Sequence, residues 1–210
     1  MAVWKTADMI AVSDCEICSH LAEVETSYAK YGWEDHTRPL PPQAGRLTPV
    51  GDPGALNPEH HVRRCPLCGT LYRYDWSYEY LVNGSEDEEV LTRLTPDEAR
   101  AWLTEAEYAA LVACLPVWAA HPDAQTRHYA GKCLAAHWLS CQDLAALRAL
   151  LRHHDTRVAE GAVAHLARLT GEGPPSAALR QLQSVFAALG ASAEGELAER
   201  ARWLAARLGR

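Results

Sequence analysis

Hydrophobic and polar residues alternate most regularly between Thr70 and Val82. Tyr72, Tyr74, Trp76, Tyr78, Tyr80 and Val82 fall on one side of an extended chain, and Arg73, Asp75, Ser77 and Glu79 on the other. A period of two predicts a β-strand with one aromatic face. Asn83-Gly84 reads as a turn after it, and Val90 to Leu94 as a returning hairpin partner. Leu21 to Tyr28 alternates more loosely, Ala22, Val24, Thr26 and Tyr28 against Glu23 and Glu25, and predicts another strand, with a short helix as the alternative.

Beyond Thr95 the apolar spacing becomes helical. Thr95-Pro96-Asp97-Glu98 supplies an N-cap, a proline at the first helical position and a capping-box glutamate, and Thr104-Glu105-Ala106-Glu107 repeats the box. The pattern predicts helices over about 96–103, 105–120 with a kink at Pro116, 124–139, 142–152, 156–169, 176–189 and 193–208. Gly171 and Gly190 lie where helices should stop.

Two of these helices repeat at an offset of 32 residues. Asp123, Thr126, Ala130, Cys133 and Leu134 stand above Asp155, Val158, Ala162, His165 and Leu166, and a looser copy near Glu194 carries Leu197, Ala201 and Leu204. In each full copy an aspartate caps the helix, a β-branched residue follows, and alanine and leucine recur on one face. This stretch, about 105–208, resembles the HEAT family, including the HEAT-like repeats of bacterial phycobiliprotein-lyase type; Thr126 departs from the valine usual there. The resemblance implies stacked helical hairpins presenting a concave surface that binds proteins or peptides. It does not imply the di-iron hydroxylase chemistry of some HEAT-repeat enzymes, because the chain has no His-Glu dipeptide.

Composition divides the chain into two parts: a region over 1–95 with a long Pro/Gly-rich loop at about 34–64, and an Ala-, Leu- and Arg-rich helical region over 96–210. The predicted class is α+β, with a small β-sheet region followed by an all-α repeat array. Arg38 to Pro58 holds six prolines and three glycines, a density that excludes a helix or a central strand and predicts an extended, partly mobile loop. At 48% hydrophobic and 22% charged, the chain is globular in character.

The chemistry resides in the cysteines. Cys15-Glu-Ile-Cys18 and Cys65-Pro-Leu-Cys68-Gly69 form two pairs whose spacing lets each tight turn aim two sulfurs at one metal ion, with Pro66 fixing the turn and Gly69 suited to a positive φ at its exit. The Cys-Pro-x-Cys-Gly form resembles the knuckle of the zinc-ribbon families. The predicted ligands are Cys15, Cys18, Cys65 and Cys68 on one structural Zn²⁺, with His20, His60 and His61 as competing ligands. Four cysteines argue for a closed site rather than a catalytic one. An iron-sulfur cluster, disulfides and free thiols are the alternatives. Cys114, Cys133 and Cys141 read as small core residues, and His153-His154-Asp155 as a histidine-rich helix end rather than a second metal cluster.

Charge decides how the aromatic strand is read. Residues 1–95 carry 8 Lys and Arg against 15 Asp and Glu, a net of −7, while 96–210 carry 12 against 12. Four thiolates on a divalent ion add two further negative charges. Phosphates are repelled by such a surface, so the aromatic row reads as a core face rather than a stacking platform for nucleic acid. The run Glu86-Asp87-Glu88-Glu89 reads as a solvated turn. No signal peptide or membrane-length apolar run is evident, which predicts a cytoplasmic protein with reduced thiols. The expected function is that of a non-catalytic adaptor or regulator that binds another protein through its helical-repeat surface. A nucleic-acid-associated protein is the alternative, ahead of a metalloenzyme or an acidic, immunity-type inhibitor of a basic toxin.

Overall fold

The computed structural model describes residues 10–32, 36–51, 56–82 and 84–209. The first nine residues, the loop segment 52–55 and Asn83 of the predicted turn lie outside them. The fold is mixed, with one antiparallel sheet of six strands and seven α-helices among the described residues. The strands are β1 (Val24–Gly32), β2 (His36–Arg38), β3 (Thr48–Pro49), β4 (His60–Arg64), β5 (Leu71–Leu81) and β6 (Gly84–Arg93), in the spatial order β2-β1-β6-β5-β4-β3. The helices are α1 (Glu105–Ala119), α2 (Ala124–Ser140), α3 (Leu144–Leu151), α4 (Thr156–Gly171), α5 (Ala177–Arg180), α6 (Gln183–Ser192) and α7 (Gly195–Leu208).

Two compact units divide the chain. One comprises residues 1–94 with 98–110, the other 95–97 with 111–210, so the division falls inside α1.

In the first unit β5 and β6 pair as far as Leu81 opposite Gly84. The returning strand therefore starts at Gly84 rather than Val90, and the acidic run Glu86 to Glu89 is mid-strand instead of a solvated turn. It is held there by pairing on both sides: Glu89 stands opposite Ser27 of β1 and Trp76 of β5, and Glu86 opposite Lys30 and Glu79. The aromatic face of β5 is not uniformly a core face. Tyr72 and Tyr74 are buried, whereas Tyr78, Tyr80 and Val82 stand in solvent.

Strand β1 is present but faces the other way from its hydrophobicity. Val24 and Tyr28 are exposed and Ser27 is buried. Hydrogen bonds explain the inversion: the Ser27 hydroxyl donates to Glu89 Oε2 at 2.7 Å, and Tyr74 OH donates to Glu89 Oε1 at 2.6 Å. Satisfied polar groups can occupy an inner face that apolar side chains would otherwise fill.

Among its described residues the proline-rich segment is not simply an extended loop. It contains β2, a 3-10 turn over Pro42–Arg46 with a proline at its start, and β3, and it buries Ala44 and Leu47. The predicted helix over 96–103 is replaced by turns and a 3-10 segment at Arg100–Trp102. Ala99 and Leu103 there join Val62, Leu71 and Leu94 in one apolar cluster. The second capping box forms completely: the Thr104 amide and hydroxyl donate to Glu107 Oε2 at 2.8 and 2.7 Å, and the Glu107 amide donates to Thr104 Oγ1 at 3.3 Å. Glu107 Oε1 also accepts from Arg64 of β4 at 2.6 Å.

In the second unit α2 packs against α4, α4 against α7, and α6 against α7. The repeated positions are the buried ones: Thr126 and Val158, Ala130 and Ala162, Leu134 and Leu166, with Leu197, Ala201 and Leu204 of α7. Asp123 Oδ2 accepts from the Thr126 amide at 2.6 Å, and Asp155 Oδ1 from the Arg157 amide at 2.9 Å, so both repeated aspartates act as N-caps. Pro116 lies inside α1. The single helix predicted over 176–189 is two, α5 and α6, with Leu182 fully buried at the break. Gly190 is not a stop; it is buried within α6, where α7 crosses closely enough that a Cβ would meet Arg202 Cγ at 2.7 Å. Among the described residues no helix is long and apolar enough to cross a membrane.

Candidate metal centre

The two knuckles are built from different local structure. Cys15 lies between two single-turn 3-10 segments, Val12–Asp14 and Cys18–His20, and its carbonyl accepts from the Ser19 amide at 3.0 Å. Its sulfur also receives the Cys18 amide at 3.5 Å, an N–H to S contact that tightens the turn. Cys65 to Cys68 form the tip of the β4–β5 hairpin: the Cys65 amide donates to the Thr70 carbonyl at 2.8 Å and the Gly69 amide to the Cys65 carbonyl at 3.0 Å. Gly69 has φ +76°, the left-handed geometry that a residue with a side chain adopts only at a cost.

These turns bring Cys15, Cys18, Cys65 and Cys68 together, all four buried and with their sulfurs within 4.8 Å of one another. The nearest contacts run between knuckles, Cys15 to Cys65 at 3.6 Å and Cys18 to Cys68 at 3.4 Å. A tetrahedron with metal–sulfur arms of about 2.3 Å has edges of roughly 3.8 Å. A disulfide needs sulfurs about 2.05 Å apart, so none of these pairs is bonded. The cluster could hold a metal ion, and its donor set and spacing fit a four-coordinate thiophilic one.

Two of the three histidines considered as competitors are engaged elsewhere, and the third lies outside the sulfur group. His60 pairs with Asp75 at 3.1 Å. His61 Nδ1 lies 3.2 Å from the Asn57 carbonyl, its Nε2 accepts from Arg63 Nε at 3.0 Å, and His20 is exposed outside the sulfur group. Cys114 and Cys133 are buried as expected, but Cys141 is exposed, because it follows the last turn of α2 at the surface. His153 and His154 stack at 4.4 Å just before α4 and belong to no ligand group among the described residues. His153 Nδ1 accepts from the Asp155 amide at 3.1 Å, and His121 Nδ1 accepts from the Asp123 amide at the same 3.1 Å, so a His-x-Asp turn opens both repeated helices.

Four buried sulfurs this close cannot all carry charge without a cation. Cys18 is pushed up, first by hydrogen bonds to Cys65 and Cys68 and then by burial. Cys65, which receives hydrogen bonds from Cys18 and then Cys68, is pulled down to about 2. A bound divalent cation removes this conflict by stabilising all four thiolates.

Sequence reasoning missed the residue beneath the knuckle. Arg93, buried at the end of β6, donates through Nη2 to the carbonyls of Cys18 at 3.2 Å and Leu21 at 2.5 Å, and through Nε to Tyr72 OH at 3.2 Å. A buried guanidinium beside a cluster that becomes a dianion when loaded offsets part of its charge. Burial pushes the Tyr72 phenol up, so it stays protonated beside the sulfurs. An arginine breaking the apolar register at the end of a strand was the only available signal.

No family model, curated protein or solved structure matches this chain.

Proposed function

We propose that this chain is a non-catalytic adaptor or regulatory protein, in which one structural zinc ion fixes the sheet unit and the HEAT-like helices bind another protein. The observation that carries the reading is the donor set: four buried cysteine sulfurs within 4.8 Å of one another. Four thiolates fill a tetrahedral zinc and leave no position for water or substrate, as catalytic zinc requires. Zinc is favoured over an iron-sulfur cluster by the two separated knuckles and the Cys-Pro-x-Cys-Gly turn. Binding through the helices is supported by the packing of α2 on α4 with both N-caps repeated, an arrangement suited to a rigid, extended surface.

Elemental analysis with X-ray absorption at the metal edge tests the first half; one zinc with four sulfurs supports it, and mixed nitrogen or oxygen ligation returns the site to catalysis. Cross-linking of the full chain in lysate tests the second half. Cross-links from one reproducible partner to α2 and α4 support it, and cross-links absent or confined to the sheet unit count against it.

A further inference from the structure

The register places Tyr72, Tyr74, Trp76, Tyr78 and Tyr80 of β5 on one face of the sheet with Arg93, Leu91, Glu89, Asp87 and Ser85 of β6. Near the knuckles this face satisfies its own tyrosines with arginine. The Arg93 guanidinium lies 5.7 Å from the Tyr72 ring centroid, and the Arg63 guanidinium 4.1 Å from that of Tyr74, whose hydroxyl is held by Glu89. At both rungs a guanidinium meets a tyrosine, over the ring at Tyr74 and at the hydroxyl end of Tyr72, to which Arg93 Nε donates at 3.2 Å, with acceptor oxygens nearby.

The same face continues past the end of β4, where among the described residues the β1 and β6 positions in register with its tyrosines carry no cation. Opposite Tyr78 stand Asp87 and, one strand further, Ala29; opposite Tyr80 stand Ser85 and Tyr31. The rings are uncovered, with Tyr78 53%, Tyr80 81% and Tyr31 52% exposed. Three exposed tyrosines around a carboxylate, on a half-chain of net charge −7, form a surface complementary to a cation with a flat face. Uncovered aromatic patches of this kind mark interaction sites.

We propose that this distal face, formed by Tyr31, Tyr78, Tyr80 and Asp87, docks an arginine-bearing segment of a partner protein, whose guanidinium groups extend the ladder that Arg63 and Arg93 begin. This goes beyond the proposed function, since it lies on the sheet and needs neither the zinc assignment nor the helical surface. Arginine is favoured over lysine because a guanidinium stacks on a ring while donating in its own plane to a carboxylate.

The test is fluorescence anisotropy of a labelled twelve-residue peptide of alternating arginine, glycine and serine against the full chain. Its lysine counterpart and an acidic peptide of the same length serve as competitors. Saturable binding is expected, weakened about tenfold by Tyr78→Ser with Tyr80→Ser, retained in the Tyr→Phe pair, and weakened several-fold by Asp87→Asn or by lysine for arginine. The substituted tyrosines are exposed, and an unchanged thermal melt confirms that each variant is folded. No binding to the unaltered chain overturns the proposal. So does equal binding by the Tyr→Ser pair, which would leave only general attraction to an acidic surface.

Discussion

Arg93 Nη2 reaches the main-chain carbonyl of Cys18 at 3.2 Å, linking the end of strand β6 to a residue 75 positions earlier in the sequence. The same guanidinium holds the Leu21 carbonyl and the Tyr72 hydroxyl, so it closes the first knuckle onto the sheet. Arg93→Met, similar in length but without donors, removes these charge-assisted hydrogen bonds. The expected loss is about 3 kcal/mol of stability in the sheet unit. Zinc loaded into the four-sulfur site should also pass faster from the variant to a chromogenic chelator. Unchanged chelator kinetics would show that Arg93 only packs.

Loss of the metal should act on the two units unequally. Cys18→Ser or Cys65→Ser removes one of the four sulfurs, and structural zinc sites supply on the order of 10–16 kcal/mol of apparent binding energy at neutral pH. The near-ultraviolet signal of the sheet tyrosines should collapse in these variants and in chelator-treated protein. Much of the helical far-ultraviolet signal should persist, because the buried residues of α2, α4 and α7 do not include the four sulfurs. A melting profile unaffected by chelation would be incompatible with a structural metal.

The knuckles were legible because their chemistry is local: the Cys-x-x-Cys spacings, Pro66 and Gly69 specify both turns without reference to distant residues. The burial of the repeated positions in α2 and α4 was legible for the same reason, since a helical face is defined within four residues. Facing in the sheet was not. Val24 and Tyr28 point outward because Glu89, more than 60 residues away, accepts a hydrogen bond from Ser27 on the inner side. The Thr95–Glu98 box likewise suggests a helix, but Ala99 and Leu103 pack with Val62 and Leu71 instead, and short-range capping yields to burial.

His61 is expected to make the sheet unit sensitive to acid. Burial first, and then the neighbouring Arg63 charge, hold its imidazole below the ordinary value of 6.5. A histidine with a lowered folded value supports the fold fully above its unfolded value and withdraws that support as pH falls through the folded one. The denaturant midpoint should therefore decline as pH falls below about 6.5, and His61→Gln should flatten that part of the profile. An NMR titration placing His61 at or above 6.5 would contradict the assignment.

The helical unit depends on two glycines at the crossing of α2 and α4. A Cβ added to Gly161 would lie 1.9 Å from the His128 carbonyl oxygen, and one added to Gly131 would lie 2.0 Å from that of Val158. Both obstacles are backbone, so no side-chain rotation relieves them and the helices must separate. Gly161→Ala should cost at least the roughly 1–3 kcal/mol typical of overpacking, despite alanine's better helix propensity. Gly171, the last residue of α4, has open space where its Cβ would be, and its φ is not positive. Gly171→Ala should therefore stabilise by about 0.5–1 kcal/mol. Opposite shifts of the urea midpoint for these two changes within one helix are the expected result. A neutral Gly161→Ala would mean that α2 and α4 do not approach as closely as this packing requires.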